Sequence, residues 1–187
     1  GTGYDEAYAM TADSDGNTYT TGYFEGTVDF DPGAGTANLT HAGAGDVFIV
    51  KLDSSGNFVW AKAMGGTSGD SAQSIKVDSS GNIYILGNFQ GTADFDTGAG
   101  TSNLTVAGSS DIFIAKLDSS GNFVFAKKIG GTSNDTPSSM VLDTASNIYT
   151  TGAFNGTADF DPGAGTSNLT SVGGTNDVFI SKLDSSG

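Results

Sequence analysis

The sequence predicts an all-β fold made of β-propeller blades: a partial array of about three four-stranded antiparallel sheets. Three observations carry that expectation. The first is repetition. Aligning Asp13, Asp78 and Asp143 brings Asn17, Asn82 and Asn147, then Gly22, Gly87 and Gly152, then Phe30, Phe95 and Phe160 into register at a spacing of 65 residues. Self-similarity at a fixed period marks solenoids, propellers and arrays. The second is strand character, since short runs of Ile, Val, Phe and Tyr with period-two alternation are separated by turn residues. The third is composition: 29 Gly with 36% hydrophobic and 10% aromatic residues supply a core and many turns, unlike a disordered chain. The 187 residues read as a single repeat domain, 1–187, with repeats at approximately 7–71, 72–136 and 137–187, the third lacking its last strand.

The second copy shows the unit whole. Ser74 to Val77 is a short apolar run, the first strand, A. DSSGN, Asp78 to Asn82, follows as a hairpin turn in which Asp opens the loop and Gly81 takes a positive φ. The third copy carries Ser146 at the turn glycine, which costs ~1 kcal/mol if the backbone stays left-handed. In strand B, Ile83, Ile85 and Phe89 alternate with Tyr84 and Leu86. After a long connection, Asp111 to Leu117 and Asn122 to Ile129 form strands C and D over a second DSSGN turn, Asp118 to Asn122. Strand C is apolar on both faces, Ile112 and Ile114 on one and Phe113, Ala115 and Leu117 on the other, so it must be covered from both sides. Inside the B–C connection, GTADF and SNLTV read as a small extra hairpin. A four-stranded sheet stacked between its neighbours is a propeller blade; a linear solenoid of the same sheets is the alternative. Parity places every DSSGN turn on one rim and the B–C connections and D-to-A linkers on the other.

Propellers close with about four or more blades. The third copy stops at LDSSG before its strand D, which leaves strand C with Phe179 and Ile180 as an unpaired edge. The expected partners are therefore further blades of the same polypeptide or a partner that donates a strand. With 21 Asp and Glu against 7 Lys and Arg, all of them Lys, the net charge of −14 repels nucleic acid and anionic lipid. No apolar run approaches the ~20 residues that span a bilayer, so membrane insertion is not expected. Zero cysteines excludes disulfides, zinc-thiolate sites and cysteine nucleophiles.

VDSSGNIYILGNF, Val77 to Phe89, resembles bacterial propeller repeats of the NHL and SBBP kinds, and KLDSSGNFVWAK, Lys51 to Lys62, is similar at a distance to the pyrroloquinoline-quinone type of blade. The long SBBP-like variety with DFDPGAGT in its middle covers essentially the whole chain. That resemblance implies a large secreted or surface-anchored bacterial protein, extracellular or at the cell surface, in which the propeller is usually non-catalytic. Quinone-dependent relatives need Arg, Asp and Trp around a central cofactor, and this chain has no Arg and one Trp, Trp60.

The candidate metal ligands lie in DFDPGAGT and its copies: Asp29 and Asp31, Asp94 and Asp96, Asp159 and Asp161. In an extended segment such a pair points the same way, about 6.6 Å apart, while the intervening Phe anchors the opposite face. Asp46, Asp111 and Asp177, at the start of strand C, are candidates for a third carboxylate per site. Paired carboxylates beside a glycine-rich bend are the oxygen donors that Ca²⁺ takes, so Ca²⁺ is the expected cofactor if any. The same residues also fit turn caps on an acidic surface, which is the commoner use of the pattern. DSDGN at Asp13 has the opening spacing of an EF-hand loop, but Thr18 and Phe24 replace its glycine and its bidentate Glu, so it reads as an ordinary turn. Asp5, Asp70 and Asp135, before strand A, are expected to bond linker amides.

Catalysis has little to stand on. His41 is the only histidine and occurs in one copy. Lys51, Lys116 and Lys182 recur in strand C, where pairing with an Asp of an adjacent blade is the expectation. Tyr23, Phe24 and Trp60 fit a sugar platform or, more commonly at strand spacing, a core. The reading is a non-enzymatic structural or adhesive propeller segment with glycan, surface-protein or calcium contacts. The alternative is part of a propeller enzyme or carbohydrate-binding lectin whose active residues lie in other blades.

Overall fold

The computed structural model describes all of residues 1–187, and every regular element is a strand. The first two copies form the four-stranded meander expected from the pattern. In the first copy it consists of β1 (Glu6–Ala12), β2 (Thr18–Phe24), β5 (Asp46–Leu52) and β6 (Phe58–Gly66), with a short hairpin, β3 (Thr27–Asp29) and β4 (Asn38–Thr40), between the second and third strands. The second copy repeats this as β7 (Ser71–Val77), β8 (Ile83–Phe89), β9 (Thr92–Asp94), β10 (Asn103–Thr105), β11 (Asp111–Leu117) and β12 (Phe123–Gly131). The third has β13 (Thr136–Leu142), β14 (Ile148–Phe154), β15 (Thr157–Asp159), β16 (Asn168–Thr170) and β17 (Asp177–Leu183). Neighbouring strands pair antiparallel in the order A, B, C, D within a blade. The third blade is a three-stranded sheet, β13, β14 and β17.

The turns follow their chemistry. In the β7–β8 turn the Asp78 amide donates to the Asn82 carbonyl at 3.0 Å and the Gly81 amide to the Asp78 carbonyl at 3.0 Å. Gly81 sits at φ 81°, and its serine counterpart Ser146 keeps the left-handed backbone at φ 60°. Strand A carries a bulge in every copy, between Ala7 and Ala9, Ala72 and Ser74, and Pro137 and Ser139. The bulge presses the strand A backbone onto the glycine of strand B: a Cβ on Gly87 would collide with the Ser71 carbonyl and the Phe113 ring.

The small hairpin does more than the sequence indicates. It pairs within itself, Asn103 opposite Asp94 and Thr105 opposite Thr92. It also pairs with strand D of the preceding blade, Gly65 opposite Asp94 and Gly66 opposite Ala93, and the next junction repeats this with Gly130 opposite Asp159. Its Phe stays in its own blade, with the Phe95 ring 4.8 Å from Phe113 and 5.4 Å from Phe89. Each hairpin is thus a clasp between two sheets.

The core lies between blades. Tyr19, Val47, Ile49 and Met64 of the first blade share one buried cluster with Ala72, Ile75, Ile83 and Ile85 of the second. Tyr84, Leu86, Ile112, Ile114 and Ile129 of the second share another with Met140, Ile148 and Phe179 of the third. This is why strand C is apolar on both faces.

Candidate functional site

The polar side chains that the sequence singles out fall into three groups. The first occupies the DSSGN rim. Asp53 Oδ1 accepts from the Ser55 and Asn57 amides at 2.9 and 2.8 Å, and its Oδ2 accepts from the Asn57 side chain at 2.9 Å. Asp13, Asp78, Asp118 and Asp143 repeat the arrangement. The Asn side chain and then its amide hold the Asp53, Asp118 and Asp143 carboxyls below the usual carboxylate range. Asp13 therefore works as a turn residue, as its departure from the EF-hand pattern indicates.

The second group is the DFDPGAGT loop. Asp29 Oδ1 accepts from Asp31 N at 3.1 Å and from Ala37 N at 2.8 Å, closing the loop on itself, and Asp31 Oδ1 accepts from Gly33 N at 2.7 Å. The same bonds recur at Asp94 and Asp96 and at Asp159 and Asp161. The Ala37 amide and then that of Asp31 lower the Asp29 pKa. Each of these carboxylates has one oxygen bonded to its own loop.

The third group sits at the blade junctions. Asp70 Oδ2 accepts from Gly66 N, at the end of strand D, at 2.7 Å, and its Oδ1 accepts from Gln90 N, after strand B of the next blade, at 3.0 Å. Its own amide donates to the Gly45 carbonyl at 3.0 Å. One residue, by its side chain and its own amide, therefore ties together three segments from two blades. Asp135 does the same with Gly131 and Asn155, and Asp5 with Glu25 and the N-terminal ammonium. The expected bonding to linker amides is what the geometry contains.

Asp46, Asp111 and Asp177 do not join the DFDPGAGT pair as third ligands. No three His, Cys, Asp or Glu side chains gather closely enough to hold a metal ion. Asp46 Oδ2 instead accepts from Ala42 N at 2.8 Å, Asp111 Oδ2 from Ala107 N at 2.8 Å, and Asp177 Oδ2 from Val172 N at 2.9 Å. In the first two blades the opening carboxylate of strand C turns toward the strand D glycine at the junction. There it meets the strand A group: a Cβ on Gly65 would run into both the Asp46 and the Asp70 carboxylates, and one on Gly130 into those of Asp111 and Asp135. Asp46 and Asp111 are buried, and the Oδ1 of each has no partner.

Burial pushes Asp70 up to about 7 against the pull of the Gln90 and Gly66 amides, and Asp46 adds to the rise. Burial likewise raises Asp46 and Asp135. The second junction has a built-in counter-charge, Lys128 Nζ at 3.1 Å from Asp111 Oδ2, where the first has Ala63.

The strand C lysines form no ion pair with an adjacent blade. Lys51, Lys116 and Lys182 lie over the Tyr19, Tyr84 and Tyr149 rings at 5.0, 4.9 and 5.0 Å, because the cross-strand neighbour in strand B is that tyrosine. Lys116 also donates to the Ser185 carbonyl at 3.1 Å. Phe24 is fully buried and Trp60 packs against the first core cluster, so these two are core residues. The paired junction carboxylates were missed by sequence reasoning, although the Gly-Gly pair closing each strand D marks a close approach.

Residues 124–160, which run from strand D of the second blade to the first strand of the third blade's clasp, match the SBBP beta-propeller repeat. The chain is built of β-propeller repeats. An uncharacterized WD repeat-containing protein of Acanthamoeba polyphaga mimivirus is 31% identical over 114 residues, covering 54% of this chain and 8% of that protein. The regulatory protein FlaEY of Caulobacter vibrioides is 24% identical over 110 residues, covering 59% of this chain and 12% of its own length. The propeller repeat chain thus spans 8% and 12% of these two curated relatives. It has no helix long and apolar enough to cross a membrane.

Proposed function

We propose that this propeller repeat chain is a non-enzymatic structural and adhesive segment of a larger bacterial protein acting outside the cell or at its surface. The observation that carries the reading is the reuse of carboxylates. In copy after copy the same Asp side chains bond the same backbone amides in turns, loops and junctions, which is the pattern of building blocks and not of one unique reactive centre. The clasp loops are the contact surface in this reading, since they recur three times and their tips, residues 33–36, 98–101 and 163–166, are exposed. Calcium at the DFDPGAGT loops belongs to the same reading: one oxygen of each carboxylate is bonded within its own loop, which leaves the other for a cation, a glycan hydroxyl or a surface protein. Titration calorimetry with Ca²⁺, paired with a glycan array, tests it. The expected result is Ca²⁺ heat, or glycan binding, that is lost in an Asp31→Ala, Asp96→Ala, Asp161→Ala triple variant. Binding unaffected by those substitutions, or turnover by the intact chain of a substrate of any class, counts against it.

A further inference from the structure

Turns, clasps and junction carboxylates recur from copy to copy, so residues that break the repeat mark what one place alone requires. The 6 tyrosines divide evenly. Tyr19, Tyr84 and Tyr149 are the repeated strand B residues, whereas Tyr4, Tyr8 and Tyr23 occur once: 65 residues on, their positions hold Gly69, Gln73 and Asn88, and at the next step Asn134, Ser138 and Ala153. Glu6 and Glu25, the only glutamates in the chain, are equally unrepeated, with Ser71 and Gln90 at the corresponding positions. These five side chains gather at one place.

Tyr4 and Tyr8 both donate to Glu6 Oε2, at 2.5 and 3.0 Å. The Tyr23 hydroxyl lies 2.6 Å from Glu25 Oε1 and 2.6 Å from the Ala44 carbonyl, and Glu25 Oε2 accepts from Tyr4 N at 3.3 Å. The Tyr4 and Tyr23 rings meet at 54° with centroids 6.2 Å apart. Room for Tyr23 is made by Gly45, where a Cβ would strike the ring; Ser110 takes that position where Asn88 replaces the tyrosine. The three rings line a cleft of about 350 Å³ whose other wall is Asp70, which leads into β7, with Asn88 and Gln90. That is a volume typical of small-molecule sites. Both walls lie within the chain, so the cleft belongs to the first junction and not to an outer face.

The chemistry of the cleft is one-sided. Each of the three hydroxyls is spent as a donor on a carboxylate or a carbonyl, which leaves the rings to offer their electron-rich faces. Burial and then the Glu25 bond push the Tyr23 phenol up to about 12, so it keeps its proton. Glu6, Glu25 and Asp70 add negative charge, and no lysine lines the cleft. Aromatic faces of this kind attract ammonium and guanidinium groups. We infer that the cleft binds an organic cation, an alkylammonium or guanidinium group, seated on the Tyr4, Tyr8 and Tyr23 rings and balanced by Glu6 and Glu25. A small ammonium compound and a Lys or Arg side chain of a partner protein carry the same chemistry. The site is separate from the DFDPGAGT loops, so it stands or falls independently of calcium there.

Titration calorimetry of the intact chain at low salt tests the inference, with choline, arginine amide, the neutral tert-butyl isostere of choline, and galactose as probes. The expected result is saturable binding of at least one cation, about tenfold weaker binding of the neutral isostere, and no galactose heat. Preference for choline points to a small ammonium compound, and preference for arginine amide to a partner side chain. Tyr8→Gln, Tyr23→Asn and Glu25→Gln each install the residue found 65 positions on, which the same fold already accommodates. Each should weaken the cation about fivefold, the scale of one cation–π contact or one exposed ion pair. Circular dichroism melting verifies that the variants fold, and if Tyr23→Asn melts early the exposed Tyr8→Gln carries the test. No saturable heat from either cation at millimolar concentration overturns the inference. So does equal binding of the isostere, galactose binding that the variants abolish, or cation binding that all three variants leave unchanged, which points to general attraction by the net charge of −14.

Discussion

The DSSGN rim and the blade junctions use the same chemical group, an Asp accepting backbone amides, with opposite electrostatic results. At the rim Asp53, Asp118 and Asp143 are solvated, and their Asn partners favour the charged form. At the junction Asp70 accepts two amides as well, yet burial beside Asp46 outweighs them and lifts it to about 7. The difference teaches that accepted hydrogen bonds lower a carboxylate's pKa in both places but set the net direction only where water still reaches the group. Two accepted amides do not offset the loss of solvent together with a second buried acid. The rim shapes local turns, and the junction joins blades at the cost of holding an acid where charge is disfavoured.

The largest expected effect comes from deleting the junction side chain. Asp70→Ala leaves the Gly66 and Gln90 amides without their acceptor, at about 1–3 kcal/mol each when buried, and urea unfolding at pH 5 should show a loss of about 3 kcal/mol. Next is the pH profile. Between the ordinary value of 3.8 and about 7, the folded chain keeps on Asp70 a proton that the unfolded chain has released, so stability falls as pH rises through that window. Each pH unit there is worth about 1.4 kcal/mol, and Asp70→Asn should flatten the slope in a melting series. The rim carboxyls have the opposite sign: lowered in the fold, they stabilise above the ordinary carboxylate range and lose that contribution as pH falls through their folded values. A wild-type chain whose stability is level from pH 4 to 7 would break the comparison. Smaller again is Asp78→Ala, which should cost about 1 kcal/mol for its turn bonds and leave the slope between pH 4 and 7 in place. The smallest is Ser146→Gly, which relieves the left-handed φ of 60° and should raise stability by ~1 kcal/mol or less, while Gly81→Ser costs a similar amount in the same melting assay.

Most of the sheet architecture was legible because it is local and said three times. DSSGN states a turn, Ile83 to Phe89 a strand, and the two apolar faces of Asp111 to Leu117 a layer covered on both sides. Even the extra hairpin, Thr92–Asp94 against Asn103–Thr105, could be read from the residues. What could not be read is which copy a residue faces. Strand D of one blade pairs with the clasp of the next, and Asp46 approaches Asp70, which leads into strand A of the next blade. Periodicity describes the content of a repeat and is silent about contacts across its boundary. The same gap misplaced the strand C carboxylates as loop ligands and the strand C lysines as partners of a neighbouring blade. Cross-strand register decided the latter, setting Lys116 opposite Tyr84 within one sheet.

The clasp also gives the fold a direction in time. Gly65 and Gly66 at the end of β6 remain without their edge partner until Asp94 and Ala93 have been made, so during synthesis each sheet waits for a latch encoded in the following repeat.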